Sequence, residues 1–308
     1  MKIVMMATGG VGGYYGARLA AVGEDVRFVA RGAHLAALRT NGLKLISANG
    51  NLHLRSVHAT DDPATIGVAD VVIFAVKQYH TETAAKLIIP VIGDETAVIS
   101  IQNGMDPQEK LKRIVGREHV MGGTTYITGA KIMSPGVNTH TGSIARFVFG
   151  EFDGVLSLRG ERFLGACKKA GIDVVFSTNI AKEMWAKFAL LSGFSGVSSM
   201  LGKPAGPTMS DPDSRKLLKD AVAETVAVAK AKGIELGDDY VAKHGDFYGS
   251  IPPDTKSSML MDLENGRPLE LNWLSGAVAQ FGDEVGVPTP THHAIYSALK
   301  FAALGRSV

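Results

Sequence analysis

The chain has 308 residues, of which 45% are hydrophobic and 20% are charged, and this composition excludes a largely disordered protein. Its length is about twice that of an average domain, which suggests two domains. Lys and Arg number 32 and Asp and Glu number 30, so the formal charge of +2 gives no electrostatic reason to expect nucleic acid or a membrane surface as a partner.

Cysteine and histidine usage argues against structural cross-links. Cys167 is the only cysteine, which excludes an intramolecular disulfide and a cysteine-based zinc site. His292 and His293 are adjacent and therefore point apart, and the pattern H-x-x-x-H does not occur. No stretch reaches the ~20 apolar residues that a membrane span requires. We therefore expect a soluble protein without a metal in the reducing cytoplasm.

Short apolar runs alternate with helical patterns in the first third of the chain. The predicted strands are Lys2–Met6, Asp25–Ala30, Ala69–Val76 and Ala97–Ile101. A helical composition from Tyr14 to Val22 separates the first two strands. Strands that alternate with helices form βαβ units, so the sequence predicts an α/β fold with a Rossmann-type, doubly wound parallel sheet.

The pattern changes near residue 178, where long helical segments begin. The predicted helices are Ile180–Leu191, Ser214–Lys232, Asp239–His244, Pro253–Asn265 and Glu270–Val285. Lys203–Asp213, which contains three prolines, is predicted to be a loop. We therefore predict a dinucleotide-binding domain over residues 1–178, followed by an all-helical domain over residues 179–308.

A glycine-rich turn, Ala7-Thr8-Gly9-Gly10-Val11-Gly12, follows the first strand and opens the first helix. In a dinucleotide-binding fingerprint, glycines permit a tight turn, the approach of backbone amides to the pyrophosphate, and close packing of helix on strand. The diphosphate then lies at the helix N-terminus, where unpaired N–H groups favour an anion. We predict that residues 7–12 bind a dinucleotide, although Ala7 replaces the first glycine of the usual pattern. A purely structural turn is the alternative.

Arg31 ends the second predicted strand, where NAD enzymes carry an acidic residue for the ribose 2′-hydroxyl. A guanidinium instead suits a 2′-phosphate, which it can bind through paired hydrogen bonds. NADPH is therefore the predicted cofactor. The alternative is a solvated arginine without a ligand.

Two further polar residues follow predicted strands. Lys77 follows the third and Asn103 the fourth, and ligands of open α/β sheets bind outside the carboxyl ends of strands. We expect both side chains to face the cofactor and the substrate. Because Asn103 precedes Gly104, an ordinary turn is the alternative there.

The helical half contains one lysine, Lys187, within the apolar segment Trp185–Leu191. It can act as a proton donor with a pKa tuned by its surroundings, or it can extend its ammonium to water from an apolar surface. Glu270 can likewise orient this lysine in a cleft or serve as a charge at a helix N-terminus.

Taken together, these residues resemble the ketopantoate reductase family. The resemblance is carried, in chain order, by Gly9–Gly12, Val29–Gly32, Val76-Lys77, Gln102–Met105, Trp185–Lys187, Ser257–Asp262 and Gly286–Pro290. It implies an NADP-dependent oxidoreductase, a 2-dehydropantoate 2-reductase that makes pantoate in pantothenate and coenzyme A biosynthesis.

The resemblance also implies roles for individual residues. Lys187 matches the proton donor, and Glu270 matches the glutamate that supports it. Asn103 matches the asparagine near the nicotinamide and the keto group, and Ser258 matches the serine at the substrate carboxylate. The remaining implied contacts are Arg31, Lys77 and Thr128 to the cofactor and Ser195 to the substrate.

Several positions depart from the family pattern, which typically has asparagines four and eight residues after the lysine. Leu191 and Ser195 occupy these positions, and Ala205 and Thr255 replace two other polar contacts. Reduction of a different 2-keto acid or carbonyl substrate is therefore an alternative, as is a non-catalytic NADPH sensor. The long helices also suggest a possible homodimer.

Overall fold

The computed structural model describes residues 1–305, apart from the side chains of residues 244–246 and 250. The chain divides into two compact units. The first contains Met1–Gln102 and Asp106–Glu183, and the second contains Asn103–Met105 and the chain from Met184 onward. Asn103–Met105 thus groups with the second unit, although the sequence analysis placed it in the first domain. Residues 306–308, the end of the predicted helical domain, lie outside the described residues.

Twelve strands lie in the first unit of the described chain. They are β1 Lys2–Met6, β2 Asp25–Val29, β3 Leu43–Ser47, β4 Leu52–Leu54, β5 His58–Thr60, β6 Val71–Phe74, β7 Ala97–Ser100, β8 Val120–Ile127, β9 Ala130–Ser134, β10 Val137–His140, β11 Ala145–Gly150 and β12 Asp173–Phe176.

Eight strands form the main sheet in the order β12-β11-β8-β7-β6-β1-β2-β5. The four predicted strands are its parallel centre, in which Met6 lies opposite both Val29 and Phe74. Every residue of β6 and β7 is buried, because helices cover both faces of the sheet. The predicted doubly wound sheet is confirmed, except that β11 runs antiparallel to β8.

The helices of this unit connect its strands. They are α1 Gly10–Ala21, α2 Gly32–Asn41, α3 Thr81–Leu87, α4 Pro107–Val115 and α5 Leu158–Lys169. The first helix begins at Gly10 rather than at the predicted Tyr14, so three of the fingerprint residues lie inside it.

A second sheet, of order β4-β3-β10-β9, was not predicted from the sequence. It packs against α1, where a Cβ atom added to Gly10 would lie 2.5 Å from the carbonyl oxygen of Ala130. Its strands escaped detection because β4 and β10 are short and mix polar with apolar residues, so they lack a strong apolar run.

From residue 180 to residue 305 the described chain is helical and contains no strand, which confirms the all-helical prediction for that part. Its helices are α6 Ile180–Leu201, α7 Ala205–Ser210, α8 Pro212–Ala231, α9 Tyr240–Ser250, α10 Ser258–Glu264, α11 Ser275–Val285 and α12 Pro290–Leu299.

Several predicted boundaries in this half were wrong. The helices predicted to end at Leu191 and His244 continue to Leu201 and Ser250. The predicted loop Lys203–Asp213 contains α7, because its prolines lie at or near helix starts, where their missing N–H costs nothing. The helix predicted from Pro253 begins only at Ser258, where the Ser257 hydroxyl caps it. The segment predicted as one helix from Glu270 is a 3-10 turn over Leu271–Trp273 followed by α11.

None of the described helices is long and apolar enough to cross a membrane.

Candidate active site

The glycine-rich turn leads from β1 into α1, with Gly9 as the residue that precedes the helix. No side chain caps this helix, and its first turn contains no acidic residue. A Cβ atom at Gly9 would meet no heavy atom of the described chain within 4 Å. The N-terminal amides of α1 are therefore available to an anion.

The other fingerprint residues serve the packing of the turn. A Cβ atom at Gly12 would lie 2.0 Å from the carbonyl oxygen of Ala7, so only glycine fits there. Thr8 is buried and donates its backbone N–H to the carbonyl of Val29 at 2.8 Å. The Thr8 hydroxyl has no hydrogen-bond partner among the described residues. Val11 is half-buried.

Arg31 lies in the turn after β2, immediately before α2, and its side chain is exposed. The register of β1 and β2 pairs Met6 with Val29, so Arg31 and Thr8 each lie two residues beyond this pair. The parallel register therefore places Arg31 beside the glycine-rich turn.

Lys77 and Thr128 follow other strands of the same sheet. Lys77 follows the buried run of β6, directly before a 3-10 turn, and is half-buried. Thr128 follows β8, and its carbonyl accepts the N–H of Gly142 at 3.2 Å. It lies two residues before Ala130, the residue against which Gly10 packs. Both predicted cofactor contacts are thus close to the edge that carries the glycine-rich turn.

In the second unit, three predicted residues form a chain of hydrogen bonds. Lys187, in the second turn of α6, donates from Nζ to Oδ1 of Asn103 at 3.1 Å. Asn103 donates from Nδ2 to Oε2 of Glu270 at 3.4 Å. These residues lie 84 and 167 positions apart in the sequence. The fold therefore brings the predicted proton donor, amide and carboxylate together.

The surroundings of Lys187 favour proton transfer near neutral pH. Desolvation lowers the pKa of Lys187 from its usual 10.5 to about 8, while the nearby negative charge of Glu270 opposes this shift. Glu270 itself is buried, with 5% of its surface exposed. A lysine with such a pKa can both hold and release a proton at physiological pH.

The two predicted substrate serines have different environments. Ser195 lies two turns after Lys187 on α6, is completely buried, and its hydroxyl has no hydrogen-bond partner among the described residues. Ser258 is the half-buried first residue of α10. Its neighbour Ser257 caps that helix, and the Ser257 hydroxyl lies 2.9 Å from the hydroxyl of Ser198. Ser257 is therefore structural.

Gln102 was named only as part of the family motif Gln102–Met105, without a role of its own. It is buried, and its Nε2 donates to the carbonyl of Val76 at 3.0 Å and to the hydroxyl of Thr81 at 2.9 Å. These bonds fix the backbone immediately before Asn103. A polar residue directly after an apolar strand was the available signal.

A family model described as Ketopantoate reductase PanE/ApbA matches residues 3–154, and a second, for the C-terminal part of the same family, matches residues 179–303. The chain belongs to the ketopantoate reductase family. The resemblance found in the sequence is thereby confirmed, and so is the prediction of an oxidoreductase.

Individual relatives agree with this assignment. A 2-dehydropantoate 2-reductase of Mesorhizobium japonicum is 31% identical over 329 aligned positions, which cover 99% of each chain. The crystal structure of a 2-dehydropantoate 2-reductase from Geobacter metallireducens superposes with a TM-score of 0.92 at 30% identity, over 98% of this chain and 100% of the other. A D-mandelate dehydrogenase, 19% identical with a TM-score of 0.89 over 98% of each chain, shares the fold of this ketopantoate reductase family member.

Proposed function

We propose that this protein reduces the keto group of a 2-keto acid with NADPH, and that 2-dehydropantoate is the substrate, which becomes pantoate. The observation that carries the proposal is the hydrogen-bonded chain of Lys187, Asn103 and Glu270, in which the lysine has a pKa of about 8. The relatives named 2-dehydropantoate 2-reductase support the choice of substrate.

The glycine-rich turn has the properties that a dinucleotide requires. Space is open at Gly9, the N-terminus of α1 is uncapped, and the Arg31 guanidinium is exposed beside the turn. Residues 7–12, Lys77, Asn103 and Thr128 hold the cofactor, and Arg31 binds the 2′-phosphate that distinguishes NADPH from NADH. When bound, NADPH supplies the hydride.

Lys187 supplies the proton that completes the reduction. As the keto oxygen becomes an alkoxide, the Lys187 ammonium donates a proton from Nζ to it and stabilises the developing negative charge. Asn103 holds Nζ in position through its Oδ1 atom. Glu270 holds the Asn103 amide and favours the protonated lysine. Lys187 afterwards regains a proton from water.

The substrate carboxylate requires donors of its own. The Ser258 hydroxyl donates to it, as the family resemblance implies, and the Lys187 cation balances its charge. Ser195 lies on the helix that carries Lys187, and its buried hydroxyl has no hydrogen-bond partner in the described part of the chain. This hydroxyl is the group that contacts the side chain of the 2-keto acid.

A second candidate substrate is a 2-keto acid with a more apolar side chain. Leu191, one turn after Lys187, is half-buried and packs against the apolar core of the second unit, and Ala205 is buried in the same core. These side chains offer no hydrogen bond to a substrate hydroxyl, and an unpaired polar group costs about 1–3 kcal/mol.

Initial rates of NADPH oxidation with 2-dehydropantoate and a panel of apolar 2-keto acids test the proposal. We expect fastest turnover with 2-dehydropantoate and its loss in Lys187→Ala. The matched control is Lys182→Ala, an exposed lysine on the same helix, which should keep full activity. Preference for an apolar acid would support the second candidate, and NADPH binding without any turnover would contradict both.

We also propose that the protein acts in pantothenate biosynthesis in the cytoplasm. We further propose that it forms a homodimer. Restored growth without pantothenate in a bacterial strain that lacks this reductase tests the pathway. Light scattering during gel filtration tests the dimer, and a monomeric mass would contradict it.

A further inference from the structure

Asn138, at the second position of β10, lies directly behind the glycine-rich turn. Its side chain is completely buried. Nδ2 donates to the carbonyl oxygen of Gly9 at 2.8 Å and lies 3.4 Å from that of Gly10. One amide group of the second sheet therefore binds two consecutive peptide units of the turn.

The second sheet also limits the space behind this turn. A Cβ atom at Gly13 would lie 2.1 Å from Nδ2 of Asn138, and one at Gly10 would lie 2.5 Å from the carbonyl oxygen of Ala130. The start of α1 therefore contacts the second sheet at two points, Gly10 against Ala130 of β9 and Gly13 against Asn138 of β10. The glycines at positions 10 and 13 are required by this contact, whether or not a ligand is bound.

A peptide unit is rigid, so a hydrogen bond that holds its carbonyl oxygen in place also fixes the direction of its N–H group. The carbonyl of Gly9 and the N–H of Gly10 belong to one planar peptide unit and point in opposite directions, as do the carbonyl of Gly10 and the N–H of Val11. The first N–H groups of a helix have no partner within the helix and are the ones that bind phosphate. By holding the two carbonyls, Asn138 therefore orients the amides on the opposite side of the turn.

We propose that Asn138 is a positioning residue for the cofactor, which preorganises the glycine-rich turn to receive the pyrophosphate of the dinucleotide. This inference rests on the proposed function, because it assumes that the turn binds NADPH. A turn that is already ordered spares the ligand the entropic cost of ordering it, so the contribution of Asn138 is to affinity rather than to the chemical step.

The first test is Asn138→Leu, which has a similar volume and no donor. We expect the dissociation constant for NADPH and the KM for NADPH to rise about five- to tenfold, with kcat at saturating NADPH unchanged. The matched control is Thr139→Val, a buried polar residue on the same strand whose hydroxyl has no partner among the described residues. An NADPH affinity within twofold of wild type in Asn138→Leu would overturn the proposal.

A double-mutant cycle distinguishes the loss of the Asn138 contact from a general folding defect in Asn138→Leu. Gly13→Ala adds a methyl group that collides with Asn138 Nδ2, so it should weaken NADPH binding in the wild-type background. In the Asn138→Ala background the collision is removed, and Gly13→Ala should have little further effect. Equal effects of Gly13→Ala in the two backgrounds would contradict the proposed role.

Hydrogen exchange of residues 7–14 in the protein without NADPH separates this inference from the proposed function. Faster exchange in Asn138→Leu than in wild type and Thr139→Val supports the ordering role even if wild type binds no NADPH, a result that would refute only the proposed function. Unchanged exchange, together with tight NADPH binding by Asn138→Leu, refutes the role of Asn138 and leaves the proposed function intact.

Discussion

The Nζ atom of Lys187 lies 3.1 Å from Oδ1 of Asn103, a residue that directly follows the buried Gln102. The side-chain amide of Asn103 accepts a hydrogen bond from Lys187 through Oδ1 and donates one to Glu270 through Nδ2. An asparagine is suited to this place because it has a donor and an acceptor on one rigid group. Loss of the Asn103 side chain should therefore directly affect Lys187, the proposed proton donor.

Asn103→Leu removes the hydrogen bonds to Lys187 and Glu270 and leaves the side-chain volume nearly unchanged. We expect kcat to fall about ten- to a hundredfold, because Lys187 is no longer held where the proton is delivered. Steady-state rates with saturating NADPH measure the effect. Asn265→Ala, at an exposed asparagine of the same unit, is the control, and equal activities of the two variants would contradict the prediction.

The reaction should lose rate as the pH rises above about 8, because Lys187 has a pKa of about 8 and donates a proton only as the ammonium. Glu270→Gln removes the negative charge that raises this pKa. The alkaline limb of the profile of kcat/KM against pH should therefore move to lower pH in this variant. Glu264→Gln, at an exposed glutamate, should leave the limb in place. A shift of the limb to higher pH in Glu270→Gln would be incompatible with the proposed role.

Arg31→Ala tests the choice between NADPH and NADH. Loss of a charge-assisted contact to the 2′-phosphate should weaken NADPH binding about ten- to a hundredfold and leave NADH binding unchanged, since NADH has no such phosphate. Titration of each cofactor, followed by its fluorescence, gives both constants. Arg39→Ala, in the helix α2 that follows Arg31, is the control. Equal losses of affinity for both cofactors would show that Arg31 does not contact the 2′-phosphate.

Two glycines of the turn should respond differently to the same added methyl group. Gly9 has open space, so Gly9→Ala should leave the thermal midpoint unchanged but weaken NADPH binding, because the methyl group occupies the approach to the α1 amides. Gly12→Ala collides with the Ala7 carbonyl and should lower the midpoint itself. Melting curves and NADPH titrations on both variants check this. A stable Gly12→Ala that binds normally would argue against the described packing.

His292 makes the second unit sensitive to acid. Burial lowers the pKa of His292 from its usual 6.5 to about 4, so the unfolded chain binds a proton that the folded chain does not. The contribution that neutral His292 makes to the free energy of unfolding is complete above pH 6.5 and is lost as the pH falls toward 4. The loss between pH 7 and pH 5 should be about 2 kcal/mol.

Urea unfolding followed by tryptophan fluorescence measures this loss, because both tryptophans, Trp185 and Trp273, lie in the second unit. His53→Asn, at an exposed histidine of the first unit, should retain the pH dependence, and His292→Asn should reduce it. Equal pH dependence in the two variants would rule out His292 as its source.

The sequence by itself determined the parts of this protein that depend on local patterns. Apolar runs such as Lys2–Met6 form strands wherever both faces are covered, and the order of strand, glycines and helix implies a parallel sheet. The strand-end positions of Arg31 and Lys77 followed from the same periodicity. The family motifs supplied the candidate roles of Lys187 and Glu270.

Only the tertiary structure decided which distant residues meet. No local pattern indicates that Asn103 bridges Lys187 and Glu270, because hydrogen bonds across 84 and 167 positions depend on how whole elements pack. The hydrogen bond from Asn138 to Gly9 likewise depends on packing. Asn138 belongs to a sheet whose short, partly polar strands are hard to predict from the sequence. The pKa of Lys187 likewise depends on desolvation, which packing creates and composition does not reveal.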